Sequence, residues 1–185
     1  YTVDGILRMV YAGKLVPLKH IDIVIRALSC LNTVEFRFEI IGEGPEEQRL
    51  RKLTKKLGLE KKVFFLGRMD RCSVVEHMKK ANLYCMPSFP ETLGLTYLEA
   101  MSVGCIPIGT KGEGIDGIVR DGWNGFLVDA SNLLENVIEK IQTYITLNDE
   151  DRQLLSEHAR ISVKEMDEKT CAERYLDAIQ SVILT

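Results

Sequence analysis

Residues 83–108, LYCMPSFPETLGLTYLEAMSVGCIPI, contain the repeating unit of the fold. The apolar run at 83–87 predicts a buried strand, and a helical pattern begins near Leu95 and ends at Gly104. Residues 105–108 predict a second strand, which the helix joins to the first. Because helical crossovers connect parallel strands, this stretch predicts a βαβ unit.

The same alternation of strand and helix extends in both directions along the chain. Further strands are predicted at 7–12, 36–41, 63–66 and 125–128. About six strands with helical crossovers predict an α/β fold, a doubly wound, Rossmann-like parallel sheet. Ligands of such folds bind beyond the carboxyl ends of the strands. With 185 residues and no repeat or linker, a single domain over 1–185 is the simplest interpretation.

Composition limits the classes of partner. The net charge of −3 gives no electrostatic reason to bind nucleic acid or an anionic membrane. No apolar run approaches the roughly 20 residues that span a bilayer. Five widely spaced cysteines without a C-x-x-C pair indicate a reducing, cytoplasmic setting without disulfides or structural zinc. The start at Tyr1, without a Met and close to the first strand, leads us to expect a domain cut from a longer enzyme.

The loop after the first strand carries Gly13, Lys14 and Lys19. The two lysines flank the entry to the first helix, where free backbone N–H groups and the helix dipole favour an anion. Two ammonium groups added there predict a diphosphate site. Two solvated surface lysines are the alternative interpretation.

Two later loops are rich in glycine. Gly42 and Gly44 follow the second strand, but a dinucleotide fingerprint follows the first strand and needs a third glycine where Glu47 stands. The pattern therefore disfavours an NAD site and leaves open a tight turn or a close approach of a nucleotide to the backbone. Residues 111–117 after the fifth strand predict, more weakly, an anion-binding concavity.

Glu91 and Glu99 are separated by seven residues across a loop and a helix start. Gly94 and Leu95 present N–H groups at that helix N-terminus. Glu91 suits a cap or a charge partner there. Glu99 stands among apolar residues, so a buried carboxylate needs hydrogen-bond donors, and the two hydroxyls of a ribose would satisfy it. A solvated Glu99 is the alternative.

In combination these motifs resemble the C-terminal domain of glycosyltransferase family 4, retaining enzymes of GT-B architecture. The resemblance covers about residues 7–145. The matching stretches are YAGKLVPLK at 11–19, IIGEGP at 40–45, VFFLG at 63–67, MPSFPETLGLTYLEAM at 86–101 and DGWNGFLV at 121–128. The fold it implies is the C-terminal half of a GT-B enzyme, with an N-terminal acceptor domain absent from this chain.

The resemblance implies a role for each matching residue. Lys14 and Lys19 bind the donor diphosphate, Glu91 touches the transferred sugar, and Glu99 binds the ribose hydroxyls. These roles make Glu91, Lys19 and Lys14 the catalytic candidates. The donor-binding candidates are Gly13, Gly42, Gly44, Gly67, Arg68, Met69, Gly94, Leu95 and Glu99.

The implied reaction is transfer of a sugar from a nucleotide-diphosphate sugar to a hydroxyl, with retention. Lysines in place of a divalent metal lead us to expect no metal and no cofactor. The one Asp-x-Asp, at 149–151, predicts a helix start instead of a metal site. The expected partners are the nucleotide-sugar donor and the N-terminal domain, with membrane association only through the acceptor. The isolated chain is expected to transfer no sugar.

Some residues depart from the family pattern. Thr92 and Leu93 replace a glycine and a phenylalanine, and His20 replaces a glycine. These departures leave the sugar open. Three alternatives remain: another GT-B enzyme such as a nucleotide-sugar epimerase, an NAD-dependent oxidoreductase, and a non-catalytic interaction module. An apolar stripe on a helix over 168–184 suits either the core or the absent domain.

Overall fold

A computed structural model of the chain describes residues 5–31, 34–164 and 166, so the helix expected over 168–184 lies outside the described residues. The sheet has six parallel strands in the order β3-β2-β1-β4-β5-β6. The strands are β1 Leu7–Ala12, β2 Phe36–Ile41, β3 Val63–Gly67, β4 Leu83–Cys85, β5 Ile106–Thr110 and β6 Phe126–Val128. The predicted α/β fold with a doubly wound sheet of about six strands is confirmed.

Helices connect the strands and cover the sheet. They are α1 Ile21–Ser29, α2 Glu47–Lys56, α3 Arg71–Lys80, α4 Leu95–Ser102, α5 Leu133–Thr146 and α6 Asp149–Val163. Every residue of β4 and β5 is buried, as expected of parallel strands with both faces covered. Strand order reverses between β1 and β4, so the loops that follow these strands diverge and leave a crevice.

Local chemistry explains where several elements begin and end. Asp70 caps α3 by accepting a hydrogen bond from the Ser73 N–H at 3.0 Å, and Asn148 caps α6 through the Asp151 N–H. The carboxylates of residues 149–151 lie in the first turn of α6, where the helix dipole favours negative charge, so the predicted helix start is confirmed. The strand expected over 83–87 ends at Cys85, because Pro87 has no N–H to donate to the sheet.

Three buried tyrosines lie beneath the carboxyl end of the sheet. The Tyr11 hydroxyl donates to the Lys14 carbonyl at 2.9 Å, and the Tyr84 hydroxyl contacts Thr96 Oγ1 at 2.7 Å. The Tyr97 hydroxyl donates to the Met86 carbonyl. Since buried hydroxyls need such partners, these bonds fix the loops above them to the rigid core.

Candidate functional site

A cleft of about 730 Å³ opens at the carboxyl edge of the sheet, and we call it the main cleft. It lies between the loops after β1, β2 and β3 and the first turns of α3 and α4. Seven of the residues predicted from sequence line it: Gly13, Lys14, Gly42, Gly44, Arg68, Met69 and Glu99. The main cleft therefore brings together the loops after β1, β2 and β3 and the Glu99 carboxylate of α4.

Glycines allow the first two loops to touch backbone to backbone. A Cβ on Gly42 would lie 1.9 Å from the Gly13 carbonyl oxygen, and a Cβ on Gly44 would lie 2.2 Å from the carbonyl oxygen of Leu15. The Leu15 N–H donates to the Glu43 carbonyl at 2.9 Å across the same contact. Gly42 and Gly44 therefore make a tight turn that forms a wall of the main cleft, and the approach of a nucleotide to this backbone stays a prediction.

Gly67 supports this wall from the third strand. Its carbonyl accepts a hydrogen bond from the Gly42 N–H at 2.8 Å. The main cleft is lined by the next two residues, Arg68 and Met69, and not by Gly67 itself. Of the donor-binding candidates at 67–69, Arg68 and Met69 therefore lie in the wall of the cleft, and Gly67 lies behind them.

Glu99 is held in the wall of the main cleft by a partner that sequence reasoning missed. Arg71 Nε donates to Glu99 Oε1 at 2.6 Å. The Glu99 side chain is 19% exposed, whereas the Arg71 side chain is 81% exposed. Glu99 is therefore a partly buried carboxylate with a cationic partner.

Lys19, in the turn between β1 and α1, forms a direct ion pair with Glu91 on the loop that follows β4, which we call the Glu91 loop (residues 88–94). The Ser88 hydroxyl also donates to Glu91 Oε2, at 2.9 Å. Burial alone would raise the pKa of Glu91, but the hydrogen bonds from Lys19 and Ser88 outweigh it and hold the pKa below its ordinary value. Neither Lys19 nor Glu91 lines the main cleft.

Tyr11 supports the loop that carries Lys14 and is affected by the charge of Glu91. Its hydroxyl holds the Lys14 carbonyl, and a Cβ on Gly13 would lie 2.8 Å from that hydroxyl. Burial raises the pKa of Tyr11, and the negative charge of Glu91 raises it further. Glu91 is thus within electrostatic reach of the residue that supports the Lys14 loop.

The glycine-rich loop after β5 supports the Glu91 loop. The Glu113 carboxylate accepts a hydrogen bond from the Glu91 N–H, and the Gly114 N–H donates to the Glu91 carbonyl at 3.0 Å. A Cβ on Gly114 would lie 1.7 Å from the Thr92 carbonyl oxygen. The Gly112 N–H donates to Asp116 Oδ2 at 2.7 Å. The N–H groups of Gly112 and Gly114 already have acceptors in the protein, so these two groups are not free for the expected anion-binding concavity.

The N-terminus of α4 lies between the main cleft and the Glu91 loop. Gly94 precedes the helix with φ of 67°, and no side chain caps this end. Within the described part of the chain, no hydrogen bond is made by the Leu95 N–H. Thr96 lines the main cleft, whereas Gly94 and Leu95 do not. Gly94 and Leu95 therefore lie beside a residue of the cleft wall, and their contact with a phosphate stays a prediction.

His20 adopts a backbone conformation that favours glycine, with φ of 49°. Its ring stacks on Phe89 with centroids 4.3 Å apart, and its Nε2 is buried without a hydrogen-bond partner. Burial lowers the pKa of His20. The stack joins the loop that carries Lys19 to the Glu91 loop. Sequence reasoning noted that His20 replaces a glycine but did not detect this contact.

Among the described residues, the structure contains no group of three or more His, Cys, Asp or Glu side chains placed to hold a metal ion. Over the same residues, no helix combines the length and apolarity needed to cross a bilayer.

Comparison with known proteins gives the family. Residues 5–162 match the model of the family described as glycosyl transferases group 1. The chain is 31% identical over 159 residues to an N-acetyl-alpha-D-glucosaminyl L-malate synthase of Bacillus anthracis, covering 85% of this chain and 40% of that protein. The chain spans less than half the length of such curated relatives.

Solved structures share the fold. The Anabaena protein HepE, crystallised with UDP and glucose, matches with a TM-score of 0.83 and 24% identity, over 96% of this chain and 49% of HepE. The C-terminal domain of a glycosyl transferase group 1 family protein (LpcC) from Francisella tularensis matches with a TM-score of 0.74 and 22% identity, over 85% of this chain and 84% of that one. The GT-B neighbours agree with the predicted architecture, and the family match covers the loops that form the main cleft: this chain belongs to the glycosyl transferases group 1 family.

Proposed function

We propose that this chain is the donor-binding, C-terminal domain of a retaining glycosyltransferase of family 4. An N-terminal domain, outside this sequence, would carry the acceptor site. The family assignment supports the transferase class, and the chain's span of less than half its relatives supports a second domain. The match to the C-terminal domain from Francisella tularensis supports the C-terminal placement.

One observation carries the proposal: Lys14 and Glu99 line the same cleft at the carboxyl edge of the sheet. A nucleoside diphosphate needs a cation for its phosphates and an acceptor for its ribose hydroxyls, and the cleft offers both. The side chains of Ile41, Met69 and Val74 add an apolar surface suited to a base. A structural neighbour supports the same ligand class, since HepE is crystallised with UDP and glucose.

Catalysis would depend on stabilising the leaving diphosphate. Negative charge grows on this group as the bond to the sugar breaks, and preorganised cations and N–H groups aimed at it lower the barrier. Lys14 is exposed at the cleft, and the uncapped N-terminus of α4 lies at its boundary. Lys19 would add a second ammonium group from the side of the Glu91 loop.

Glu91 would contact the transferred sugar. Its low pKa keeps it ionised near neutral pH, and Lys19 and Ser88 fix the direction of the carboxylate. A fixed, charged acceptor suits the hydroxyls of a sugar better than a mobile one, because less conformational entropy is lost on binding. The Lys19–Glu91 pair is therefore proposed as the sugar end of the donor site.

A calorimetric panel of UDP, GDP, ADP and NAD tests the donor-binding role. We expect one nucleoside diphosphate to bind, NAD to bind more weakly, and Glu99→Gln to weaken the preferred diphosphate. Lys52→Ala, an exposed charge change on α2 outside the main cleft, is the control and leaves binding unchanged. Preference for NAD would favour an oxidoreductase, and binding of no nucleotide would favour a non-catalytic interaction module.

The reaction itself is tested on the two-domain enzyme. Incubated with the sugar derivative of the preferred nucleotide and a hydroxyl acceptor, it should release the free nucleoside diphosphate and form a glycoside with retained anomeric configuration. Conversion of the nucleotide sugar to its epimer without an acceptor would favour the epimerase alternative. The isolated chain should bind the donor but transfer no sugar, and efficient transfer by this chain alone would contradict the proposed division between domains.

A further inference from the structure

An ion pair separates the main cleft from a neighbouring cavity. This second cavity, of about 550 Å³, lies between α4 and the end of α6 and is lined by Leu95, Leu98, Ser102, Val163, Lys164 and Met166 together with the ion pair. Arg71 and Glu99 stand in the walls of both spaces. The Arg71–Glu99 pair, with Nε and Oε1 2.6 Å apart, is therefore the partition between them.

Glu99 lines both spaces, whereas Lys164 lines only the second cavity. A carboxylate has about four acceptor sites, so the Arg71 Nε–H occupies one and leaves others for two hydroxyl donors. Arg71 therefore restrains Glu99 without using up its capacity to accept hydrogen bonds.

We propose that Arg71 is a positioning residue that holds Glu99 toward the main cleft and thereby sets the preference for a ribose over a deoxyribose. The inference rests on the proposed donor site but concerns a residue outside the motifs that resemble the family. The 2′-hydroxyl is the group that the two sugars do not share, and its contact with Glu99 depends on where the carboxylate points. Without Arg71 the Glu99 carboxylate would lose its restraint, and the wall between the two cavities would open beside the ribose.

The test compares two ligands by calorimetry: whichever of UDP, GDP and ADP binds tightest, and its 2′-deoxy counterpart. In the unaltered chain the ribonucleotide binds more tightly. Arg71→Ala should lower the affinity ratio of the two ligands by about two- to fivefold, the range for a partly exposed ion pair. Arg71→Lys keeps the charge and should restore part of the ratio.

Lys164→Ala is the matched control, because it removes one positive charge from the second cavity without altering the main cleft. It should leave the affinity ratio of the two ligands unchanged.

An unchanged affinity ratio in Arg71→Ala would overturn the inference. Tighter ribonucleotide binding by Arg71→Ala would also overturn it, since Arg71 would then be a competitor for Glu99. These results differ from failure of the proposed function, in which the unaltered chain binds none of the three diphosphates. A melting curve for each variant verifies folding.

Discussion

The main cleft and the Glu91 loop share one edge of the sheet but are built differently. In the cleft the backbone is fixed by glycine contacts, while Lys14 is exposed and makes no ion pair within the described residues. In the Glu91 loop the charged groups already satisfy each other, since Lys19 and Glu91 are paired and mostly enclosed. In the proposed function, the nucleotide end of the site would be open to ligand and the sugar end would be preorganised by internal bonds.

Gly114→Ala should have the largest effect, because it breaks the support of the Glu91 loop. The added Cβ would lie 1.7 Å from the Thr92 carbonyl oxygen, so the two loops must separate. We expect a loss of about 3 kcal/mol in the free energy of unfolding, measured with urea. Nucleoside diphosphate binding by the remaining folded protein should change much less, since the main cleft does not include Gly114.

Gly112→Ala in the same loop is the control for backbone strain. Gly112 has φ of 80° but nothing within 4 Å of an added Cβ. Only the conformational penalty remains, and the expected cost is about 1 kcal/mol. If the two variants lost equal stability, steric contact with the Glu91 loop would not explain the glycine at position 114.

Lys14→Ala and Lys19→Ala should have the next largest effects. Together they should distinguish the main cleft from the Glu91 loop. Each removes an ammonium group from the diphosphate and should weaken nucleoside diphosphate binding by about 1.5–3 kcal/mol. Lys19→Ala should also lower the free energy of unfolding, because Glu91 loses its cationic partner, whereas Lys14→Ala should not. Calorimetry and urea unfolding measure the two quantities. Equal stability losses would mean that the lysines do not differ as the structure indicates.

The smallest effect concerns pH. The folded-state pKa of Glu91 is lowered, so its contribution to stability is present above the unfolded pKa and is lost as pH falls through the folded value. The stability difference between the unaltered chain and Lys19→Met should therefore be larger at pH 7 than at strongly acidic pH, where Glu91 is protonated. Urea unfolding at both pH values measures it, and a difference independent of pH would show that the ion pair contributes nothing.

Much of the fold could be predicted from sequence because its signals are local. Apolar runs gave the six strands, and β1 and β2 begin and end where predicted. Ile21, Val24 and Leu28 recur at helical spacing in the sequence, and all three are buried on one side of α1. Errors occurred at ends such as that of β4, which depend on pairing with a neighbouring strand.

The candidate site was predicted less completely, because its contacts join residues far apart in the chain. Spacing placed Lys14 and Glu99 beyond strand ends but could not indicate that Lys19 reaches Glu91 or that Arg71 reaches Glu99. The glycine-rich loop at 111–117 has the composition of an anion site, yet its Gly114 N–H holds the Glu91 loop and its Gly112 N–H donates to Asp116 within the same loop. Composition identifies available donors, whereas the fold decides which acceptors they meet.

A structure of this chain with a bound nucleoside diphosphate tests the central claim most directly. The proposed donor site requires ribose hydroxyls on the Glu99 carboxylate and phosphates between the Lys14 ammonium group and the N-terminus of α4, with the terminal phosphate toward Lys19. A nucleotide bound elsewhere, or bound in the main cleft without contacts to Lys14 and Glu99, would contradict it.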